Sequence, residues 1–95
     1  MARVFRWNLW NLEHIAQHGV SHEEAESVVE CQMPPWPEYI GEDKWRIWGQ
    51  TADGRYLQVI HLFDPPGVVY VIHARDLTDK EKQQCRRRSR NRIHP

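Results

Sequence analysis

Three prolines within four positions, Pro34-Pro35-Trp36-Pro37, divide this chain into a stretch that can be helical and a stretch in which that helix cannot continue. Proline lacks the N–H that an interior helical turn needs, and its ring clashes with the turn before it. Ahead of the block, apolar residues recur at helical spacing; behind it they fall in short runs bounded by turn residues. Ninety-five residues with a mean hydropathy of -0.78 leave room for one small domain, expected over 1–95.

In the first stretch, Leu9, Leu12, Ile15 and Ala16 predict an apolar stripe on a helix over 8–18, stopped by Gly19. Ser21 and Glu24 have the spacing of a capping box, and Val20 can staple onto Ala25, so a second helix begins there and buries Ala25, Val28 and Val29. In the second stretch, strand-like runs cover 44–50 and 55–63 around Asp53-Gly54, a hairpin signal, and 68–74 after Asp64-Pro65-Pro66-Gly67. A short edge strand around 38–40 would make the antiparallel sheet four-stranded instead of three-stranded. Thr78 and Glu81 form a further capping box, opening a basic C-terminal helix or tail over 78–95. Beyond Leu77 only Cys85 and Ile93 are apolar there, so 82–92 is solvated, docked on a partner, or frayed.

The fold class is therefore α+β: two N-terminal helices covering one face of an antiparallel sheet, then a C-terminal helix. Trp36, Trp45 and Trp48, with Ile47, Val59, Ile60 and residues 68–72, are the expected core. Trp45 and Trp48 differ in parity, so only one of them shares a face with Ile47.

Overall neutrality hides a segregation of charge. Residues 1–74 hold 5 Lys/Arg against 10 Asp/Glu, and residues 75–95 hold 8 against 3. A basic block of this kind suits a polyanion or an acidic protein partner, and the plain alternative is a solvated tail. No apolar run approaches the roughly 18 residues of a membrane-spanning helix. The basic start leads into no apolar signal region, and Cys31 and Cys85 lack C-x-x-C spacing, so the expectation is a cytoplasmic protein with reduced thiols and no membrane partner.

Four short pieces in order carry a family resemblance: Phe5-Arg6-Trp7-Asn8; His14-Ile15-Ala16-Gln17-His18-Gly19-Val20-Ser21 with Glu23-Glu24-Ala25; Gly49-Gln50-Thr51 with Gly54-Arg55-Tyr56-Leu57; and Val71-Ile72-His73-Ala74-Arg75-Asp76 with Thr78 and Lys80-Glu81-Lys82. Together they resemble the BrnT family of toxins over most of the chain. The resemblance implies a RelE-like ribonuclease fold and the toxin role in a type II toxin-antitoxin pair. It implies a cognate antitoxin that silences the protein, in a complex that represses its own operon. Two positions depart from the family pattern: Cys85 stands where a tyrosine is common, and His73 where a small hydroxyl residue precedes Ala-Arg.

Metal-free cleavage of RNA needs a base for the ribose 2′-hydroxyl, an acid for the leaving oxygen, and cations for the charge gathering on phosphorus. The catalytic candidates are Arg75, to stabilise the transition-state charge, His61, as general base or acid, and His73. Arg55, Lys80, Lys82, Arg86, Arg87 and Arg88 are candidates for holding RNA, within a run that continues to Arg90 and Arg92. Each has a structural alternative: His61 as a hydrogen-bonded sheet residue, Arg75 as partner of Asp76, Asp79 or a carboxylate of the acidic half, the lysines as surface charges around Glu81. His73 and Arg75 share a strand face, and whether His61 joins them depends on the register across 64–67.

His14 and His18 have the i, i+4 spacing of zinc ligands but not the H-E-x-x-H order, and the helical wheel sets them beside Trp10, opposite the apolar stripe. Such a stripe suits contact with the antitoxin or with a second copy in a homodimer or hetero-oligomer, or packing under the proline block. Cys31 has no nucleophile elbow around it. No cofactor and no metal are expected. The function expected is a metal-independent endoribonuclease toxin acting on RNA; the alternative is a catalytically inactive BrnT-like module that binds protein or regulates an operon.

Overall fold

The computed structural model describes residues 3–65 and 67–93, with side chains as far as Arg88, and orders its elements as α1 (Leu9–Ala16), α2 (His22–Glu30), β1 (Glu38–Gly41), β2 (Lys44–Gln50), β3 (Tyr56–Asp64), β4 (Val68–Asp76) and α3 (Asp79–Ile93). Pro66 of the predicted turn and the side chains of Arg90 and Arg92 lie outside the described residues.

Each helix begins with a closed capping box. Asn8 and Asn11 cap one another's backbone in α1, Ser21 and Glu24 do so in α2, and Thr78 and Glu81 in α3. Gly19 ends the first helical segment at φ +69°, where Gly19 N–H donates to Ala16 O and Val20 N–H to Ile15 O. Only a residue without Cβ enters this left-handed position cheaply, and it turns Val20 inward so that it is buried with Ala25.

The four strands form an antiparallel meander in the order β1-β2-β3-β4. Glu42 and Asp43, both at positive φ, make the tight β1–β2 turn, and Thr51 and Arg55 close a three-residue loop with Gly54 left-handed. In β4 the register shifts beside Ile72: Ile60 pairs with His73, whereas His61 pairs with Val71. This bulge changes the parity of the strand, so Val69 and Val71 lie on the same face as Ala74. That face, with Ile47, Leu57, Val59 and His61, is buried, largely beneath Ile15, Ala25, Val28 and Val29 of the helices.

α1 is rotated relative to the predicted stripe. Leu9 and Leu12 are exposed, at 72% and 37%, and Ala16 is exposed too; the inward line is Asn11 and Ile15. The cause is polar. Asn11 donates to Arg6 O at 3.1 Å and to Val71 O at 3.0 Å, which fastens α1 beside β4. Residues 4–6 run parallel along the outer side of β4, with Arg6 N–H donating to Val69 O and Val69 N–H to Val4 O.

Trp45 has the parity of Ile47 but is only half-buried, in a ring cluster with Tyr39 and Phe63. Trp48 faces the other side and is buried there against Trp36. That second face is covered at one end by α3, whose Cys85 is buried. Arg86 there donates to the Tyr56 hydroxyl, and the Arg88 guanidinium lies 5.0 Å from the Trp36 ring and 5.4 Å from that of Trp48. The basic helix is docked through these contacts instead of being solvated all round. Among the described residues no helix is long and apolar enough to cross a membrane.

Candidate nucleic-acid interface

Antiparallel pairing aligns two rows of side chains on the face opposite Ile47 and Val59. One row is Glu38, Arg46, Ile60 and His73; the next is Trp48, Gln58 and Arg75. Adjacent strands are ~4.8 Å apart, so Arg46 and His73 stand about 10 Å apart along their row. Gln58 Oε1 accepts from Trp48 Nε1 at 3.0 Å and from Arg75 at 3.3 Å. Arg75 also donates to both oxygens of Glu81, at 2.8 and 3.0 Å, and to Asp76 O. The hydrogen bond to Glu81 raises the Arg75 pKa further, so the guanidinium stays charged; the same bond holds the Glu81 carboxyl at about 2.

His73 sits beside this cation. Burial, then His18, Arg75 and His14, lower its pKa below the usual 6.5, leaving a neutral imidazole at pH 7 that can accept a proton. The His18 ring stands edge-on, 5.3 Å away. Farther along α1, Trp10 stacks on His14 at 4.5 Å and on Tyr70 at 6.3 Å, and Arg6 lies over Tyr70 at 3.9 Å. The aromatic and histidine line of α1 therefore flanks β4.

His61 does not join the group. The register puts it on the opposite face, 1% exposed, where burial lowers its pKa and Nδ1 lies 3.2 Å from Leu62 O. Arg55 is also apart. Its guanidinium bonds both oxygens of Asp76 and of Glu24 and the carbonyl of Gly19, tying β3, β4 and the α1–α2 corner together. Lys82 lies 3.7 Å from Asp79, while Lys80 and Arg87 are exposed and have no charged partner among the described residues. Arg88 is half-buried and reaches Glu38 at 3.6 Å, and the exposed Arg86 donates to the Tyr56 hydroxyl.

Sequence reasoning passed over Arg46. It pairs with Glu38 and lies over Trp48, yet its Nε is buried without an acceptor. Its alternation with Trp48 was legible, but its place in the His73 row needed the strand register. Buried donors are ordinarily satisfied, and this unpaired Nε, on a side chain that shares Glu38 with Arg88, is an exception. The two cysteines are free, and burial pushes the Cys85 thiol up, keeping it protonated. Among the described residues, no three of His, Cys, Asp and Glu are grouped so as to hold a metal ion.

The fold and this face define an α+β domain with a cation-lined sheet surface. No family model matches the chain, nor does any curated protein or solved structure.

Proposed function

We propose that the chain is a cytoplasmic, metal-independent endoribonuclease of the toxin type, held in check by a cognate antitoxin. The observation that carries the reading is the pairing, on one sheet face, of a charged Arg75 and a neutral His73. His73 takes the proton from a ribose 2′-hydroxyl. That oxygen bonds to phosphorus, the bond to the 5′-oxygen breaks, and the leaving oxygen takes a proton from water. Arg75 offsets the charge on the phosphoryl oxygens. Arg88 and the exposed Lys80 and Arg87 hold flanking phosphates.

One observation favours a second reading, that of an inactive protein-binding or operon-regulating module. Glu81 already neutralises Arg75, so the cation must be shared or released before it serves a phosphate. Incubating the purified chain with single-stranded RNA in EDTA, alone, as Arg75→Ala, and saturated with its partner, separates the two. The ribonuclease reading expects cleavage that persists in EDTA, drops at least about 100-fold in the variant and stops with the partner. Folded protein that binds its partner and leaves RNA intact would support the module.

A further inference from the structure

The end of α2, β2, the start of β3 and α3 line an open cavity of about 650 Å³, with Trp36, Trp48, Tyr56, Gln32 and Arg86 in its walls. That size suits a small organic group, and the walls offer it three aromatic rings. Gln32 Nε2 donates to Val29 O at 3.0 Å, which fixes the orientation of the amide; its Oε1 is then a buried acceptor with no partner. Buried polar atoms are ordinarily paired, so this acceptor calls for an N–H or O–H donor from whatever enters. Cations stand at the same rings: Arg86 lies 5.1 Å from the centre of Tyr56, and Arg88 5.0 Å from Trp36.

Those features describe a flat ring carrying a hydrogen-bond donor and joined to an anion. We propose that the cavity receives one unstacked base of a single-stranded RNA. The base stacks on the aromatic rings, gives an exocyclic or ring N–H to Gln32 Oε1, and leaves its phosphate to Arg86 and Arg88. Trp48 connects this pocket to the cation row, since its indole lines the cavity while its Nε1 donates to the Gln58 oxygen that also holds Arg75. A base seated here would fix which nucleotide lies across Arg75 and His73. The identity of the ligand as RNA rests on the ribonuclease reading; the geometry of the pocket does not.

The test is a fluorescence titration of the intact protein with a 2′-O-methyl tetranucleotide, which lacks the reacting hydroxyl, and with four derivatives each lacking one base. Removal of the base at one position is expected to weaken binding about tenfold or more, and at the other positions far less. Gln32→Leu should weaken the parent oligonucleotide and make that position indifferent to base removal. Equal effects at all four positions, or no binding, would overturn the proposal, and the wild-type arm decides this even if the variant fails to fold. Base-selective binding without cleavage of unmodified RNA would sink the ribonuclease reading and leave the pocket standing; cleavage with no base selectivity would do the reverse. Loss of binding only when a peptide partner is added is expected if the antitoxin covers the same pocket; peptide binding with no oligonucleotide binding overturns it.

Discussion

The Arg75 guanidinium meets the Glu81 carboxylate through two hydrogen bonds, 2.8 and 3.0 Å long, that join the end of β4 to the first turn of α3. The same carboxylate accepts from Thr78 N–H. One side chain thus closes a helix and neutralises the cation best placed to meet a phosphate.

Glu81→Gln separates those roles, because glutamine can still close a capping box while removing the charge. The expected cost is about 1 kcal/mol of stability, read by urea unfolding. RNA binding should tighten, and its dependence on log salt should steepen by about 0.7, the equivalent of one more phosphate contact. Unchanged affinity would show that Arg75 does not meet RNA.

Acid should unfold the protein in two stages. His61 and His73 both have folded pKa values below the usual 6.5, so the unfolded chain binds protons first; their contribution is complete above pH 6.5 and fades as pH falls through the lowered values. Glu24, Asp76 and Glu81 are also lowered, Glu81 to about 2 from 4.5, so a second loss follows below about pH 4.5. Urea midpoints measured from pH 8 to pH 2 should show both, and His61→Gln should shrink the first.

Arg55→Ala should act on folding instead of RNA. Its guanidinium spans Asp76, Glu24 and the Gly19 carbonyl, and its loss leaves two carboxylates without their cation. A destabilisation of about 2 kcal/mol is expected from these partly exposed charge-assisted bonds. The salt slope of RNA binding should stay where it is.

The two sheet histidines should separate by activity. His73→Ala is expected to lower the cleavage rate by 100-fold or more, the usual weight of a proton-transfer group, whereas His61→Gln should change stability and leave the rate within a few-fold of wild type. The acid limb of the wild-type rate should have its midpoint below 6.5, where the lowered His73 pKa puts it. A limb that survives in His73→Ala would assign the base elsewhere.

Much of the fold was legible because local chemistry wrote it. Ser21 with Glu24 and Thr78 with Glu81 read as capping boxes and are closed as such, and Gly19, Asp53-Gly54 and the proline block fall at the element boundaries. What escaped depended on contacts distant in sequence. The Leu9, Leu12, Ala16 stripe has helical spacing, yet the bonds from Asn11 to Arg6 O and Val71 O turn it outward, and no propensity encodes a partner sixty residues away. The bulge at Ile72 likewise decides which residues join the row of Arg46 and His73. His61 was the candidate acid or base with its face left open, and that register puts it opposite His73 and Arg75.

Single-turnover cleavage of a short RNA in EDTA, compared with the same strand carrying one 2′-deoxy residue at the cut site, shows whether the 2′-hydroxyl is the nucleophile. The account expects wild-type protein to cut the RNA to a 2′,3′-cyclic phosphate and a 5′-hydroxyl, to leave the deoxy strand whole, and to lose the reaction in both His73→Ala and Arg75→Ala. Cleavage of the deoxy strand at an equal rate, or cleavage that both variants retain, would contradict it.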